Sequence, residues 1–294
     1  DKSHFVYIGL LGLLLYVIFM GDVQMGARRW IPIGPFNLQP SEFAKVGVAL
    51  VLAKFFGENR GAPSWIDLAI GGALTCLPLA LIAKEPDLGT AVTLVPVFFA
   101  VAYLAGMQMR ILGVLCLALI LTAPVVWKFG LKDYQKSRIS TFLDPSQDAR
   151  GAGYQQIQAR ITVGSGGLAG KGFREGTQGQ LRFLPVAHND FIFSVLAEEQ
   201  GFAGVLVTLG LYLFVILRSL EAARLAKDRL GSYLVLGVLA GFAFQVMYNI
   251  TMSAGLAPVK GLTLPLMSYG GSSMIATLAG FGLILNVRMR RFTN

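Results

Sequence analysis

Long apolar runs recur along almost the entire chain, and each is long enough to form a helix that crosses a lipid bilayer. Such a helix needs about 17–25 predominantly apolar residues. The runs lie near 5–20, 41–57, 65–83, 88–106, 110–128, 190–217, 231–252 and 272–287. The sequence therefore predicts an all-α, polytopic integral membrane protein with eight transmembrane helices. It is predicted to form a single membrane domain over 1–294, with one large loop at 130–189.

The composition agrees with a membrane protein and excludes several other classes. The chain is 54% hydrophobic and only 14% charged, which lies outside the range of soluble globular proteins. A net charge of +9 is typical of cytoplasmic anchoring in a membrane protein. No basic tract is interleaved with aromatic residues, so a nucleic-acid partner is not predicted. Cys76 and Cys116 both lie in apolar runs, so neither a disulfide nor a cysteine metal site is predicted.

The distribution of Lys and Arg in the short connections predicts the orientation. One set of helix ends is rich in basic residues: Lys2, Lys54, Arg60, Arg110, Arg218, Arg224, Lys227, Arg229, Arg288, Arg290 and Arg291. The opposite short connections carry few: Arg28, Arg29, Lys84 and Lys260. The first set is predicted to be cytoplasmic. The loop 130–189 and the segments 21–40, 84–87 and 253–271 are then extracytoplasmic.

The loop 130–189 combines an amphipathic pattern with glycines and cations. Tyr154, Ile157 and Ile161 recur at helical spacing, which predicts a short amphipathic helix on the membrane surface. The glycines that follow are also typical of a solvated linker. Because cations such as Arg138 and Lys171 accompany them, we favour a loop that folds over a cavity at membrane level and holds an anionic group.

Asp190 lies where this polar loop gives way to an apolar run. A partly shielded carboxylate at the mouth of a spanning helix acts as a general base when its pKa is raised towards neutrality. The alternative is an acid in the first helical turn that accepts hydrogen bonds from exposed backbone N–H groups. The neighbouring His188 is a candidate to orient Asp190, or is only an interfacial polar residue.

Further candidates lie in the other predicted extracytoplasmic segments. Glu42 and Lys45 are three residues apart on one helix face and can pair. Ionisable groups at membrane depth are functional candidates, although a capping acid with a snorkelling lysine is the alternative. Arg29 suits a phosphate or an ordinary membrane anchor. Ser272 follows two glycines at a predicted helix start, where backbone N–H groups can bind an anion. Asp87 is predicted to cap a helix.

These signals fall on one predicted face of the membrane. Together they predict an outward-facing, cation-rich cavity with one well-placed acid, suited to a lipid-linked anionic substrate. The sequence contains no Ser/His/Asp set, zinc-ligand spacing, P-loop or dinucleotide fingerprint.

Several motifs in order along the chain resemble the SEDS (shape, elongation, division and sporulation) family. They are residues 26–31 (GARRWI), 39–45 (QPSEFAK), 85–90 (EPDLGT), 188–193 (HNDFIF), 198–202 (EEQGF) and 265–271 (PLMSYGG). Residues 176–178 (GTQ) resemble the elongation (RodA-type) members more than the division (FtsW-type) members. The resemblance implies ten helices, the first two of which would be missing from this chain.

The resemblance also implies a function and a site. It implies a peptidoglycan glycosyltransferase of the bacterial cytoplasmic membrane that polymerises lipid II outside the cytoplasm, together with a class B penicillin-binding protein. The family's essential acid falls on Asp190, and its paired acid and base fall on Glu42 and Lys45. Two departures from the family pattern, Val186 and Asn189, neighbour the essential acid, so its local hydrogen bonding is expected to differ.

In the predicted mechanism Asp190 deprotonates the acceptor hydroxyl, which displaces the lipid pyrophosphate of the donor. Arg29, Lys45, Arg138 and Lys171 are the cations predicted to stabilise the departing charge. A divalent cation, Mg²⁺ or Mn²⁺, is a further candidate in this role.

Three alternatives remain open at this point. A lipid II flippase would also need a cavity for a pyrophosphate lipid, but would favour polar residues on both leaflet sides. A non-catalytic scaffold for the penicillin-binding protein would tolerate replacement of Asp190. A division or sporulation paralogue would carry out the same chemistry in another process.

Overall fold

The computed structural model describes residues 2–24, 27–34, 36–59, 61–130, 133–148, 151–180, 183–184 and 189–290. The helices in these ranges are α1 (Ser3–Met20), α2 (Pro40–Glu58), α3 (Trp65–Lys84), α4 (Leu88–Leu104), α5 (Met109–Val125), α6 (Asp133–Leu143), α7 (Ala152–Ser165), α8 (Thr177–Gln180), α9 (Ile192–Arg224), α10 (Arg229–Ser253) and α11 (Gly271–Arg290). The strands are β1 (Asp22–Gln24), β2 (Ala27–Ile33) and β3 (Phe36–Leu38).

Five of the described helices are long and apolar enough to cross a membrane, namely α1, α3, α9, α10 and α11. Helix α4 and the Met109–Thr122 part of α5 are shorter apolar helices. Helix α2 has 19 residues but carries four ionisable side chains, Glu42, Lys45, Lys54 and Glu58. The predicted all-α, polytopic class is therefore confirmed, whereas the count of eight membrane spans stays a prediction.

Local sequence explains where several helices begin. Pro40 opens α2 at a position where no backbone N–H is needed. Ser64 and Asp67 form a reciprocal capping box at the start of α3. The Asp87 side chain accepts a hydrogen bond from the Thr90 N–H at 3.2 Å and caps α4, as predicted.

The chain falls into two compact units. The first comprises 1–107, 213–245 and 270–294, and the second comprises 108–212 and 246–269. In the first unit α2 contacts α1, α3, α4 and α11. Ala44, Val48 and Leu52 of α2 are fully buried, so a helix with four ionisable side chains lies within this core. The prediction of a single domain over the entire chain stays a prediction.

The second unit has a core built from the loop region, the start of α9 and α10. Five buried residues form it: Ala159, Leu184, Phe191, Val195 and Met252. The predicted amphipathic helix is present as α7. Its Ile157 and Ile161 side chains are exposed while Ala159, Gln156 and Thr162 are buried, so the two isoleucines of α7 face outwards.

Two elements differ from the sequence prediction. The segment 21–40, expected to be a connection, forms an antiparallel three-stranded sheet in the order β1-β2-β3. Helix α9 extends to Arg224 and is broken at Gly201, which has a φ of 64°. The 130–189 loop is also more ordered than a linker, since it contains α6, α7 and α8.

Candidate functional site

In the first unit, a buried polar group joins α2 to α10. Lys45 Nζ lies 2.7 Å from Glu42 Oε2 and donates to Gln245 Oε1 at 2.6 Å. Glu42 is 5% exposed, Lys45 9% and Gln245 1%. The predicted ion pair is therefore confirmed. Gln245, a neutral amide without a local signal in the sequence, accepts a hydrogen bond from the same ammonium group.

Asp87 connects the start of α2 to the corner between α3 and α4. Gln39 Nε2 donates to Asp87 Oδ2 at 2.9 Å, and Ser41 Oγ donates to the same oxygen at 3.3 Å. The other carboxylate oxygen caps α4. Asp87 therefore holds Gln39 and Ser41, which precede Glu42, in addition to capping α4.

Ser272 also contacts the start of α2. Its Oγ accepts a hydrogen bond from the Gln39 N–H at 3.0 Å and donates to the Asn37 carbonyl at 2.7 Å. The predicted residues Glu42, Lys45 and Ser272 thus lie on elements that meet around residues 37–45. Because the Ser272 hydroxyl donates and accepts within the protein, its contact with substrate stays a prediction.

Arg29 extends from β2 to the same corner. Its Nε donates to the Glu85 carbonyl at 2.9 Å and its Nη2 donates to the Pro86 carbonyl at 2.6 Å. The Glu85 carboxyl is 2% exposed, and neither of its oxygens has a hydrogen-bond partner among the described residues. Burial, with added repulsion from Asp87, raises the pKa of Glu85 to about 8, while Arg29 acts in the opposite direction.

In the second unit, Asp190 lies just before α9. The helix begins at Ile192, so Asp190 precedes the first turn, contrary to a predicted helix start near 190. Asn249 Nδ2 donates to the Asp190 carbonyl at 2.8 Å and to the Leu262 carbonyl at 2.7 Å. No hydrogen bond between described residues ends on the Asp190 carboxylate. The backbone is thus held in place while the carboxylate is not used as a helix cap.

The Arg138 guanidinium acts electrostatically on both Asp190 and Lys260. Burial raises the pKa of Asp190 to about 6, and Arg138 opposes that shift. Burial, and to a smaller extent repulsion from Arg138, lowers the pKa of Lys260. The Lys260 Nζ lies 5.7 Å from the centre of the Tyr248 ring. A Cβ added at Gly261 would lie 3.5 Å from Asp190 Oδ2. Because Lys260 precedes Gly261, it belongs to the surroundings of Asp190. From the sequence alone it was only one of the few basic residues predicted on this side of the membrane.

Lys171 lies in a separate network of the second unit. Its Nζ is 2.6 Å from Glu198 Oε1 and 2.9 Å from Thr177 Oγ1. The Glu198 carboxylate, which is 0% exposed, also accepts from Thr177 Oγ1 at 3.2 Å and from the Gln178 N–H at 3.1 Å. Lys171 thus anchors its own loop, and its role in binding an anion stays a prediction.

Two further predictions concern His188 and a metal. His188 lies outside the described residues. Within the described ranges, no group of three or more His, Cys, Asp or Glu side chains is arranged to hold a metal ion. The carboxylates of Glu42 and Asp87 already accept hydrogen bonds from protein groups. A divalent cation therefore stays a prediction.

The fold and these clusters define the class: a polytopic integral membrane protein with a buried ion pair in α2 and an acid at the start of α9. The sequence profile of the FtsW/RodA/SpoVE family, described as cell cycle proteins, matches residues 2–292. The chain belongs to this family, which confirms the resemblance seen in the motifs.

Two related proteins are similar to this chain over almost its full length. The peptidoglycan glycosyltransferase MrdB of Escherichia coli K12 is 41% identical over 287 residues, 98% of this chain and 78% of that protein. A probable peptidoglycan glycosyltransferase FtsW of Trichlorobacter lovleyi is 38% identical over 288 residues, 96% of this chain and 74% of that protein.

Solved structures show the same fold. A chain from a peptidoglycan synthase complex, described as coordinating polymerization and crosslinking, matches with a TM-score of 0.86 and 38% identity. The match covers 100% of this chain and 82% of that chain. The crystal structure of the rod shape determining protein RodA of Thermus thermophilus matches with a TM-score of 0.71 and 34% identity, covering 100% and 79%.

Proposed function

We propose that this chain is a peptidoglycan glycosyltransferase that polymerises lipid II into glycan strands, with Asp190 as the general base. The observation that carries the proposal is that burial raises the pKa of the Asp190 carboxyl group to about 6. Such an acid is mostly ionised at neutral pH but is a stronger base than an ordinary aspartate. The names of the relatives at 41% and 38% identity support the enzyme class.

In the proposed step, the Asp190 carboxylate takes the proton of the acceptor sugar hydroxyl. The hydroxyl oxygen attacks the anomeric carbon of the donor sugar, and the bond from this carbon to the lipid pyrophosphate breaks. The electron pair leaves with the pyrophosphate, and the anomeric configuration inverts. A single displacement needs one base, whereas retention would need a second carboxylate as nucleophile.

Fixed cations are proposed to stabilise the departing pyrophosphate. Arg138 acts electrostatically on Asp190, which makes it a candidate at the reacting centre. Lys45 is held between Glu42 and Gln245, so its ammonium needs little reorganisation during the reaction. Arg29 and Lys171 are further candidates, although both already bind protein groups. No step of the proposal requires a metal.

The setting of the reaction is part of the proposal. The chain is an inner-membrane protein, and the charge distribution supports an active site on the extracytoplasmic side. The similarity to a chain of a peptidoglycan synthase complex supports a class B penicillin-binding protein as partner. Residues 176–178 and the match to MrdB support the elongation, RodA-type role. The similar identity to an FtsW keeps the division-type role as the alternative.

Glycan-chain formation from purified lipid II, with the partner present, tests this proposal. We expect Asp190→Asn to abolish the polymer while melting temperature and partner binding stay at wild-type levels. Asp133→Asn is the matched control because Asp133 is an exposed acid of the same loop region, and it should retain activity. Unchanged polymer with Asp190→Asn would instead favour the flippase or the scaffold.

A further inference from the structure

The end of α9, the start of α10 and the end of α11 carry an excess of cations. Residues 218–231 and 288–290 contain six cationic side chains and two acids, so their formal charge is +4 (six minus two). The first acid, Glu221, lies 2.6 Å from Arg218 and 4.0 Å from Arg288. The second, Asp228, accepts a hydrogen bond from the Gly231 N–H at 2.7 Å. Both acids therefore have partners within this region, which leaves it strongly positive.

Two cavities flank the turn between α9 and α10, and Lys227 and Asp228 line both of them. The first has a volume of about 600 Å³, with Arg290 beside Lys227 and with leucines contributed by α2, α10 and α11. These leucines are Leu50, Leu230, Leu234 and Leu283.

The second cavity has a volume of about 630 Å³. Its cations are Arg224, Lys227 and Arg229, and its apolar side chains include Leu104, Leu220 and Leu236. Each cavity therefore places cationic side chains beside a leucine-lined surface that belongs to membrane helices.

We propose that these two cavities bind the headgroups of anionic phospholipids. The phosphate would contact Lys227 and the neighbouring arginines, and the first carbons of the acyl chains would pack on the leucines. Basic pockets between transmembrane helices on the cytoplasmic side are suited to acidic lipid headgroups. The volumes fall in the range of ligand pockets, whereas a simple electrostatic anchor needs surface charges and no cavity. The inference shares the predicted membrane orientation with the proposed function but does not depend on the proposed glycosyl transfer.

The test measures lipid binding to the purified protein by native mass spectrometry. The probes are phosphatidylglycerol and cardiolipin, with phosphatidylcholine as the neutral reference and inorganic phosphate as a separate probe. We expect wild type to bind the anionic lipids preferentially. Lys227→Gln with Arg290→Gln should weaken that preference about fivefold per removed charge.

The matched control is Arg218→Gln with Arg288→Gln, which removes two charges from the same region without altering a residue that lines either cavity. It should keep the preference. Equal loss in both double variants would overturn the proposal in favour of general surface charge. Competition by inorganic phosphate as strong as by lipid would overturn the assignment to a lipid. If the double variant fails to fold, Lys227→Gln alone serves, since Lys227 lines both cavities.

Discussion

Asp190 combines a partly buried carboxylate with a nearby cation, and the two influences on its pKa oppose each other. Burial disfavours the ionised form and raises the pKa to about 6, whereas Arg138 favours the ionised form. The balance leaves a group that is mostly ionised at pH 7 and can still accept a proton. This balance can be tested by changing Arg138 rather than the acid itself.

We expect Arg138→Gln to shift the acidic limb of the activity profile to higher pH. In wild type the rate of glycan formation should rise as pH passes through about 6, because Asp190 loses its proton there. Without Arg138 the pKa of Asp190 rises further, so the rate should increase only at a higher pH than in wild type. Arg174→Gln, which removes an exposed cation of the same loop region, should leave the profile in place. An unshifted profile for Arg138→Gln would contradict the electrostatic role.

Glu85 provides a second prediction at this scale, through stability. Its folded-state pKa of about 8 lies above the ordinary value of 4.5, so between these pH values the folded protein holds a proton that the unfolded chain has lost. Rising pH should therefore lower the free energy of unfolding across this window, by at most about 1.4 kcal/mol per pH unit. Below pH 4.5 this contribution is fully present.

Glu85→Gln should remove this pH dependence, because the amide stays neutral at every pH. Melting temperatures between pH 5 and 8 would show a smaller decrease than in wild type. Glu175→Gln, at an exposed position, should keep the wild-type decrease. Identical curves for Glu85→Gln and wild type would show that the buried carboxyl does not titrate in this window.

Single residues could be predicted where the side chain contrasts with its surroundings. Asp190, Glu42 and Lys45 are ionisable groups beside apolar runs, and this contrast marks them in the sequence alone. Gln245 and Asn249 could not be recognised, because a neutral amide in α10 gives no local signal. Their partners Lys45 and Asp190 are 200 and 59 residues away along the chain.

At the scale of elements, the break in α9 supports the glycine-rich loop that follows α7. The backbone N–H groups of Lys171 and Gly172 donate to the carbonyls of Glu198 and Glu199, each at 3.0 Å. The buried Glu198 carboxylate also binds the Lys171 ammonium group at 2.6 Å. The break thus exposes backbone groups of α9 to the loop, which a continuous helix would keep for itself.

Gly201→Ala should therefore damage the protein. Gly201 has a φ of 64°, and a Cβ there would lie 2.2 Å from the Gly170 nitrogen. With a ψ of −166°, this backbone lies in a region that essentially only glycine adopts, which costs another residue about 1–3 kcal/mol, and the contact with backbone adds to it. We expect a lower melting temperature and reduced glycan formation.

Gly210→Ala is the matched control for this variant. Gly210 lies in the same helix, where an added Cβ would have no other atom within 4 Å apart from the helix's own backbone, and alanine in a helix interior is more stable than glycine by about 0.5–1 kcal/mol. This variant should match or exceed the wild-type melting temperature. A comparable loss in both variants would mean that α9 tolerates no added methyl group, irrespective of the break.

The elements could be predicted where an apolar run is long or where apolar residues recur at helical spacing. The apolar runs predicted α1 to α5 and α9 to α11, and helical spacing predicted α7. Strands β1 to β3 could not be predicted, since β1 and β3 have three residues each and β2 contains Pro32, which usually argues against a strand. The break in α9 was also hidden, because glycine is common in membrane helices.

At the scale of the whole molecule, the family and the enzyme class predicted from the motifs are confirmed by the comparisons. The two clusters of site residues lie in different units of the chain. The orientation in the membrane is decisive for the proposed function. Lipid II polymerisation outside the cytoplasm requires the Asp190 end of α9 to face outwards. The Arg224 end of the same helix must then face the cytoplasm.

We expect labelling of single cysteines to show this orientation. In a background where Cys76 and Cys116 are replaced by serine, Ser146→Cys precedes α9 in an exposed turn and Ala226→Cys follows α9. A membrane-impermeant maleimide added to intact spheroplasts should label Ser146→Cys. It should label Ala226→Cys only after the membrane is opened, since one spanning helix separates the two positions. The reverse pattern would place Asp190 in the cytoplasm and contradict polymerisation at the outer face, whatever the activity of the purified protein.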